Sequence, residues 1–448
     1  MTNQDNEREI VLDMLLQVID GEEFSHRVLS RVLKHNQKRS KQERAFISRL
    51  FTGTVKHYLT LDYIIGQSSS LPVKKMKPII RNILRLGVYQ LIFMDSIPAS
   101  AACNEAVKLA KKRGFSNLSG FVNGNLRNIA RMKDNIKYPD KATDLKEYLS
   151  IMYSTPEWLV ELLLDQYDTN QVEIMLEASL REKEITIRCN RMKTNPNELR
   201  EILEDEGVTV IEHPYLREAF IIKDFDHIEG ISAFIKGLFT VQDVSSMLVG
   251  EVSGARDEDF VVDVCAAPGG KSLHIAEMAG KVSSRDLTEH KINLIKENTL
   301  RMGISNITTM VWDATIIDTD IINKADVVIA DLPCSGLGVI GKKYDIKYKL
   351  TQNQQKELVE LQRRILNVVS EYVKPGGTLI YSTCTINRDE NIGNMEWFLA
   401  NYDYIAEGID DYLPEALHSD TTRAGYLQLL QGIHPTDGFF MCRMRKGK

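Results

Sequence analysis

From Phe260 onward the chain alternates short apolar runs with helical stretches at the spacing of strand-helix-strand units. That pattern predicts a mostly parallel sheet with helices on both faces. In such sheets ligands bind beyond the carboxyl ends of the strands, where the chain leaves a strand for a loop. Two of the predicted strands deliver a thiol to that edge. The run Asp326–Ala330 leads into Asp331-Leu-Pro-Cys334-Ser-Gly, and Thr378–Tyr381 leads into Ser-Thr-Cys384-Thr. A pair of cysteines at one sheet edge, one preceded by an acid and a proline, points to chemistry on a carbon that needs both a nucleophile and a base.

A third strand end reads as a cofactor loop. Phe260-Val-Val-Asp-Val264 feeds into Cys265-Ala266-Ala267-Pro268-Gly269-Gly270-Lys271 and then a helix, Ser272 to Met278. Small residues there let backbone come close to a ligand. Gly270-Lys271-Ser272 matches the end of a phosphate-binding G-x-x-x-x-G-K-S loop, but the first glycine of that motif falls on Cys265, and Pro268 removes an N–H donor. The dinucleotide fingerprint G-x-G-x-x-G is absent as well. Asp286, at the end of the next strand, lies 23 residues beyond Asp263, near the spacing at which such folds set an acid on a ribose. A ribose partner without a phosphate cradle points to S-adenosylmethionine. Asp313 ends the strand Ile307–Trp312 and is the candidate for the adenine edge, although a lone acid at a strand end also serves as an ordinary loop cap.

Upstream the character changes. Between Glu9 and Met132 apolar residues recur at helical spacing, interrupted at Gly53, Pro72, Pro98 and Gly114, which predicts a bundle of helices. Residues 1–140 hold 23 Lys and Arg against 13 Asp and Glu, and the remainder 33 against 49, so a block of +10 is joined to one of -16. The clusters Lys38-Arg39-Ser-Lys41, Lys74-Lys75-Met-Lys77 and Lys111-Lys112-Arg113, with Arg127 and Arg131, make that block a candidate phosphate-contacting surface. A polar stretch, 137–144, then links to a small α+β module. The expected domains are 1–140, 141–240 and 241–448. No apolar run nears the roughly 20 residues of a membrane span, and the start MTNQDNERE is no signal sequence. A cytoplasmic protein without a membrane partner is expected. Six scattered cysteines and nine histidines show no disulfide framework, C-x-x-C pair or Cys/His cluster, so reduced thiols and no metal are expected.

Taken together, Asp-Val-Cys-Ala-Ala-Pro-Gly-Gly-Lys271, Asp331-Leu-Pro-Cys334-Ser-Gly-Leu-Gly and Tyr381-Ser-Thr-Cys384-Thr-Ile, with Glu390-Asn391 following, resemble the RNA (cytosine-5) methyltransferases of the Nol1/Nop2/Sun class. The helical block resembles the NusB-type RNA-binding domain, a combination similar to that of bacterial 16S rRNA methyltransferases in this class. The resemblance implies a Rossmann-like, seven-stranded, mostly parallel methyltransferase domain behind the small module and the all-α domain. It implies that residues 265–271, Asp286, Asp313 and Asp331 contact S-adenosylmethionine, that Cys384 is the nucleophile and that Cys334 assists release. The implied partner is small-subunit rRNA, with cytosine 967 of 16S rRNA as target, and a monomer is the simplest expectation. Asp331, once protonated, is the candidate donor to the ring, and Lys271 a candidate activator of the thiolate. A tRNA cytosine-5 methyltransferase and a non-catalytic RNA-binding or antitermination factor are the alternatives. The class pattern is departed from at Lys291 (commonly Arg), Leu332 (Ala), Gly341 (Arg) and Tyr344 (Pro), which bears on RNA contacts.

Overall fold

A computed structural model describes residues 6–448, so that the first five residues of the polar N-terminal stretch lie outside it. Two compact units result, one of residues 1–181 with 340–349 and one of 182–339 with 350–448.

The first unit is all-helical. Seven helices, Glu7–Ile19, Ser25–His35, Lys41–Lys56, Tyr58–Ser68, Pro78–Phe93, Ala99–Lys112 and Ser119–Met132, enclose one apolar core. Their starts follow ordinary local chemistry: Ser40 and Glu43 form a reciprocal cap, and Pro78 opens its helix where no N–H is needed. The fully buried Arg85 is neutralised by a two-pronged pairing with Asp62 at 2.7 and 2.8 Å. Several cations expected to meet phosphate are occupied instead. Arg39 pairs with Glu7 and Glu43, Lys112 with Glu9, and Arg113 with Asp13 at 2.7 Å. Lys74, Lys75, Lys77, Arg127 and Arg131 are exposed and make no ion pair among the described residues.

A segment far along the chain completes this unit. In Ile340–Lys349, Tyr344 joins the helical core, and buried Asp345 accepts from the Ser25 amide at 3.0 Å and its hydroxyl at 2.5 Å. The Tyr348 hydroxyl lies 2.8 Å from the Ser154 carbonyl oxygen. Two of the departures from the class pattern, Gly341 and Tyr344, are therefore buried packing positions. Lys347 is buried too, its Nζ donating to the Tyr153 carbonyl at 3.1 Å. Burial first, and Lys56 second, pull its ammonium down to about 7. Unfolding restores its ordinary value of 10.5. Below pH 7 both states are charged and the full burial cost applies; between about 7 and 10.5 only the unfolded chain holds the proton, so stability rises with pH across that window. We expect Lys347→Met to be the more stable protein at pH 7, by on the order of a few kcal/mol. The gap should close by pH 10.5, and denaturant unfolding of both proteins across that range checks it.

The second unit holds two sheets. Strands β1 (Ile185–Cys189), β2 (Thr209–Glu212), β3 (Ala219–Lys223) and β4 (Phe239–Val241) form an antiparallel sheet in the order β2-β3-β1-β4. The large sheet comprises β5 (Phe260–Asp263), β6 (Lys281–Asp286), β7 (Ile307–Val311), β8 (Ala325–Asp331), β9 (Val373–Thr383), β10 (Tyr404–Ala406), β11 (Tyr426–Leu429) and β12 (Phe439–Lys446). Seven of them run in the order β10-β12-β9-β8-β5-β6-β7, and β11 adds an eighth by pairing with β12. The five from β7 to β9 are parallel; β12 is antiparallel to β9. The chain moves outward from β5 to β7, then returns to lay β8 on the other side of β5. Between β5 and β8 lies the switch point, where such sheets open a crevice. No helix among the described residues is long and apolar enough to cross a membrane.

Candidate active site

Strand register explains how two cysteines fifty residues apart meet. In the parallel β8/β9 pair, Asp331 stands opposite Ser382. Cys334 lies three residues beyond the one and Cys384 two beyond the other, so both loops leave the same edge together. Their sulfurs are 3.3 Å apart, and both side chains are partly exposed.

The loops are fixed by a buried polar network. Glu390, fully buried, accepts from the Ser335 amide at 2.8 Å, from Gln362 at 3.0 Å and from Asn387 at 3.1 Å. The Ser335 and Thr385 hydroxyls, each next to a cysteine, hydrogen-bond at 2.7 Å. Asn391 donates to the Thr385 carbonyl at 3.0 Å. The Gly338 amide donates to the Cys384 carbonyl at 3.0 Å. A side chain at 338 would place its Cβ 1.8 Å from the Gly438 carbonyl oxygen, so the residue holding Cys384 from that side has to be glycine. Leu332 is buried in the core, with its amide bound to the Ser382 carbonyl; that departure from the class pattern is a packing position.

Lys271 links the cofactor loop to this pair. Its ammonium donates to Asp331 at 2.7 Å and to Ser246 at 3.3 Å. Burial alone would lower it, but the charges of Asp331, Asp263 and Cys384 outweigh burial and hold it above its ordinary value. Asp331 also accepts from Ser382 at 2.8 Å. Both of its oxygens are therefore acceptors, and donating to a base would require a proton in place of Lys271. Cys334 is held well above the ordinary thiol value by its contact with Cys384, then by burial and by the charges of Cys384 and Glu390. Burial also pushes up Cys265, which lies in the loop away from this pair.

The remaining loop residues form an acid-lined cradle. Gly269 turns the loop at φ +107°, and Ala266 and Ala267 pack on Ile292 and Ile295. Asp286 accepts from the Ala267 amide at 3.0 Å and from Lys291 at 2.8 Å. Lys291, another departure, thus pairs with an acid of the cradle. Asp313 spends Oδ1 on the Thr315 amide and hydroxyl, at 2.9 and 2.7 Å, which is loop-cap geometry. Asp263 is fully buried; its carboxylate accepts from Ser272 at 2.6 Å and is also favoured by the Cys265 backbone. Burial nevertheless drives this carboxyl up to about 7. A loop flanked by Asp263, Asp286 and Asp331 fits a cationic ligand and opposes a phosphate. Elsewhere in this unit Glu218, Glu251 and His274 each bring one ligand-capable atom within 4.8 Å of the others, a grouping that no sequence spacing announces. The charges of Arg188 and Arg191 already act on Glu251 there.

Sequence reasoning thus named both thiols, Lys271 and the acids, and passed over Asp263, Ser382, Gln362 and the work of Glu390. Only the Glu390-Asn391 dipeptide was a visible signal; the others become neighbours through strand register and helix packing.

Residues 252–445 match the family described as 16S rRNA methyltransferase RsmB/F, residues 5–131 the NusB family, and residues 155–229 the ferredoxin-like domain of RsmF/B-like methyltransferases. A Bacillus subtilis (strain 168) protein called a probable ribosomal RNA small subunit methyltransferase B is 37% identical over 98% of both chains. One of the same description from Synechocystis sp. is 32% identical over 91% of this chain and 92% of its own. The crystal structure of PH0851 superposes with a TM-score of 0.82 at 25% identity, over 99% of both chains.

Proposed function

We propose that this chain, which belongs to the 16S rRNA methyltransferase RsmB/F family, methylates carbon 5 of a cytosine in small-subunit rRNA through a covalent bond to Cys384. The observation that carries this reading is the pair of thiols 3.3 Å apart at the switch point, beside an acid-lined loop. When bound, S-adenosylmethionine supplies a methyl sulfonium. Residues 265–271 and Asp286 would hold it, the Asp286 carboxylate suiting the ribose of a cationic ligand; Asp313 would have to release Thr315 to reach an adenine.

Carbon 5 of cytosine is a weak nucleophile. A Cys384 thiolate adding to carbon 6 forms the S–C bond and shifts the C5–C6 pair onto carbon 5, which takes the methyl group. Lys271, whose charge couples to Cys384, favours the thiolate. Asp331, taking the Cys384 thiol proton once Lys271 has turned from it, donates that proton in a hydrogen bond to N3 and stabilises the ring charge. Cys334, or a water or hydroxide it holds, then takes the carbon-5 proton. That C–H pair restores the double bond as the bond from Cys384 to carbon 6 breaks.

Ordinary RNA binding needs neither the thiol pair nor the cradle, and the two relatives described above carry small-subunit rRNA names rather than tRNA ones. The target expected from the resemblance is cytosine 967, reached in the cytoplasm by a monomer. Mapping 5-methylcytosine in rRNA and tRNA of cells lacking the protein tests this: one 16S cytosine should lose its mark. An intact 16S pattern with a lost tRNA mark would move the reading to tRNA.

The helical unit is the proposed rRNA-binding part, through exposed cations that pair with no acid among the described residues. Changing Arg127 and Arg131 together to alanine should weaken binding of a 16S fragment. The slope of log K against log salt should fall by about 1.5, at roughly 0.7 to 0.9 for each phosphate no longer neutralised. S-adenosylmethionine binding should stay unchanged. Equal salt slopes would remove this face from the interface.

A further inference from the structure

Two thiols at van der Waals distance share one problem: a negative charge on either discourages the other, so something has to decide which carries it. The surroundings are lopsided. Lys271, a cation, acts on Cys384. On the other side stands Glu390, fully buried, its carboxylate 2.8 Å from the amide of Ser335, the residue after Cys334. We propose that Glu390 is a positioning residue that places the negative charge of the pair on Cys384, by holding the Cys334 loop while its own charge keeps Cys334 a thiol.

Burial lifts the Glu390 carboxyl above its ordinary value, and the groups around it, the Ser335 side chain and amide, Gln362 and Asn387, pull it back by favouring the carboxylate. The three nitrogen donors among them favour a carboxylate over a carboxylic acid. The titratable groups facing Cys334 are Cys384 and Glu390, whose charges oppose a Cys334 thiolate, with Tyr381 behind them held as a neutral phenol. Contact with Cys384 is the largest cause holding the Cys334 proton in place. Once Cys384 is bonded to carbon, that cause disappears while Glu390 remains. Cys334 then becomes easier to ionise after the attack than before it, its proton passing to water, and the resulting thiolate suits removal of the carbon-5 proton. Glu390 thus sets an order: Cys384 first, Cys334 second.

This inference rests on the proposed function only in taking Cys384 as the attacking thiol, and its test needs neither RNA nor cofactor. The full chain is alkylated with limiting iodoacetamide from pH 6 to 10, and labelling at Cys334 and Cys384 is read by peptide mass spectrometry. The native protein should label first at Cys384, because the thiolate is the reactive form. Glu390→Gln should raise the ratio of Cys334 to Cys384 labelling by roughly fivefold or more. Glu390→Asp, which keeps the charge, should label like the native chain. A merely structural role would leave the ratio alone in any folded variant, and an unchanged ratio in Glu390→Gln overturns the proposal. Should that variant fail to fold, Asn387→Asp with Glu390→Gln restores a donor and acceptor there and moves the charge off the Ser335 amide. The same rise is expected, and its absence is equally decisive. Loss of the labelling effect with Cys384→Ala still inactive would sink the role of Glu390 alone; the reverse would sink the role of Cys384.

Discussion

Cys384→Ala is expected to lower methyl transfer to a 16S rRNA fragment by at least about a thousandfold, since it removes the group that makes carbon 5 nucleophilic. Nothing nearby replaces it. Asp331 is tied to Lys271 and Ser382, and Cys334 is held as a thiol by its neighbours. The fold should tolerate the change. Cys384 is partly exposed, and its loop is held by the Gly338 amide, Thr385 and Asn391 in addition to the contact of its sulfur with Cys334. The unfolding midpoint should therefore move by less than about 1 kcal/mol equivalent, with S-adenosylmethionine binding retained. Transfer of labelled methyl groups measures the effect. Activity within tenfold of the native protein would show that another group attacks.

Cys334→Ala has a different signature, because its sulfur is required after the attack. Cys384 can still add to carbon 6 and the methyl group can still move, but the carbon-5 proton lacks its acceptor and the enzyme cannot leave. We expect protein and RNA to accumulate as a covalent complex that survives denaturing electrophoresis. Turnover should fall by at least about a hundredfold, the scale of losing a positioned general base. The serine variant should behave alike, being a much weaker base than a thiolate. If methylation stops and no complex forms, the two thiols have exchanged roles. The double variant distinguishes the cases: with Cys384 also removed, the complex should vanish.

Both predictions depend on a contact that sequence made thinkable without showing. Asp331-Leu-Pro-Cys334 and Ser-Thr-Cys384 were legible as strand ends since each follows an unbroken apolar run, and two parallel strand ends belong to one sheet edge. That they are neighbours follows from the return of the chain to lay β8 beside β5 and then β9 beside β8. The cofactor loop was legible through what it lacks: Cys265 and Pro268 deny it a phosphate cradle. The complete burial of Asp263 beneath it was not, since burial is a property of packing. Charge was the least faithful guide. Arg39, Lys112 and Arg113 read as a phosphate surface, yet acids on neighbouring helices, far away in the chain, claim them.

The sequence by itself determined the order and type of the elements, the two thiols, Lys271 and the acids, and the division into a basic helical block and an acidic catalytic one. These are set by local periodicity and by residue types that few other chemistries use. Tertiary structure alone decided that Tyr344, Asp345 and Lys347 belong to the helical core, that Asp331 pairs with Lys271, and that Glu390 reaches Ser335 across fifty-five residues. Each of these is a meeting of side chains distant in sequence. Whether an acid is a ligand, an ion-pair partner or a clamp depends on what the fold brings within about 3 Å of it.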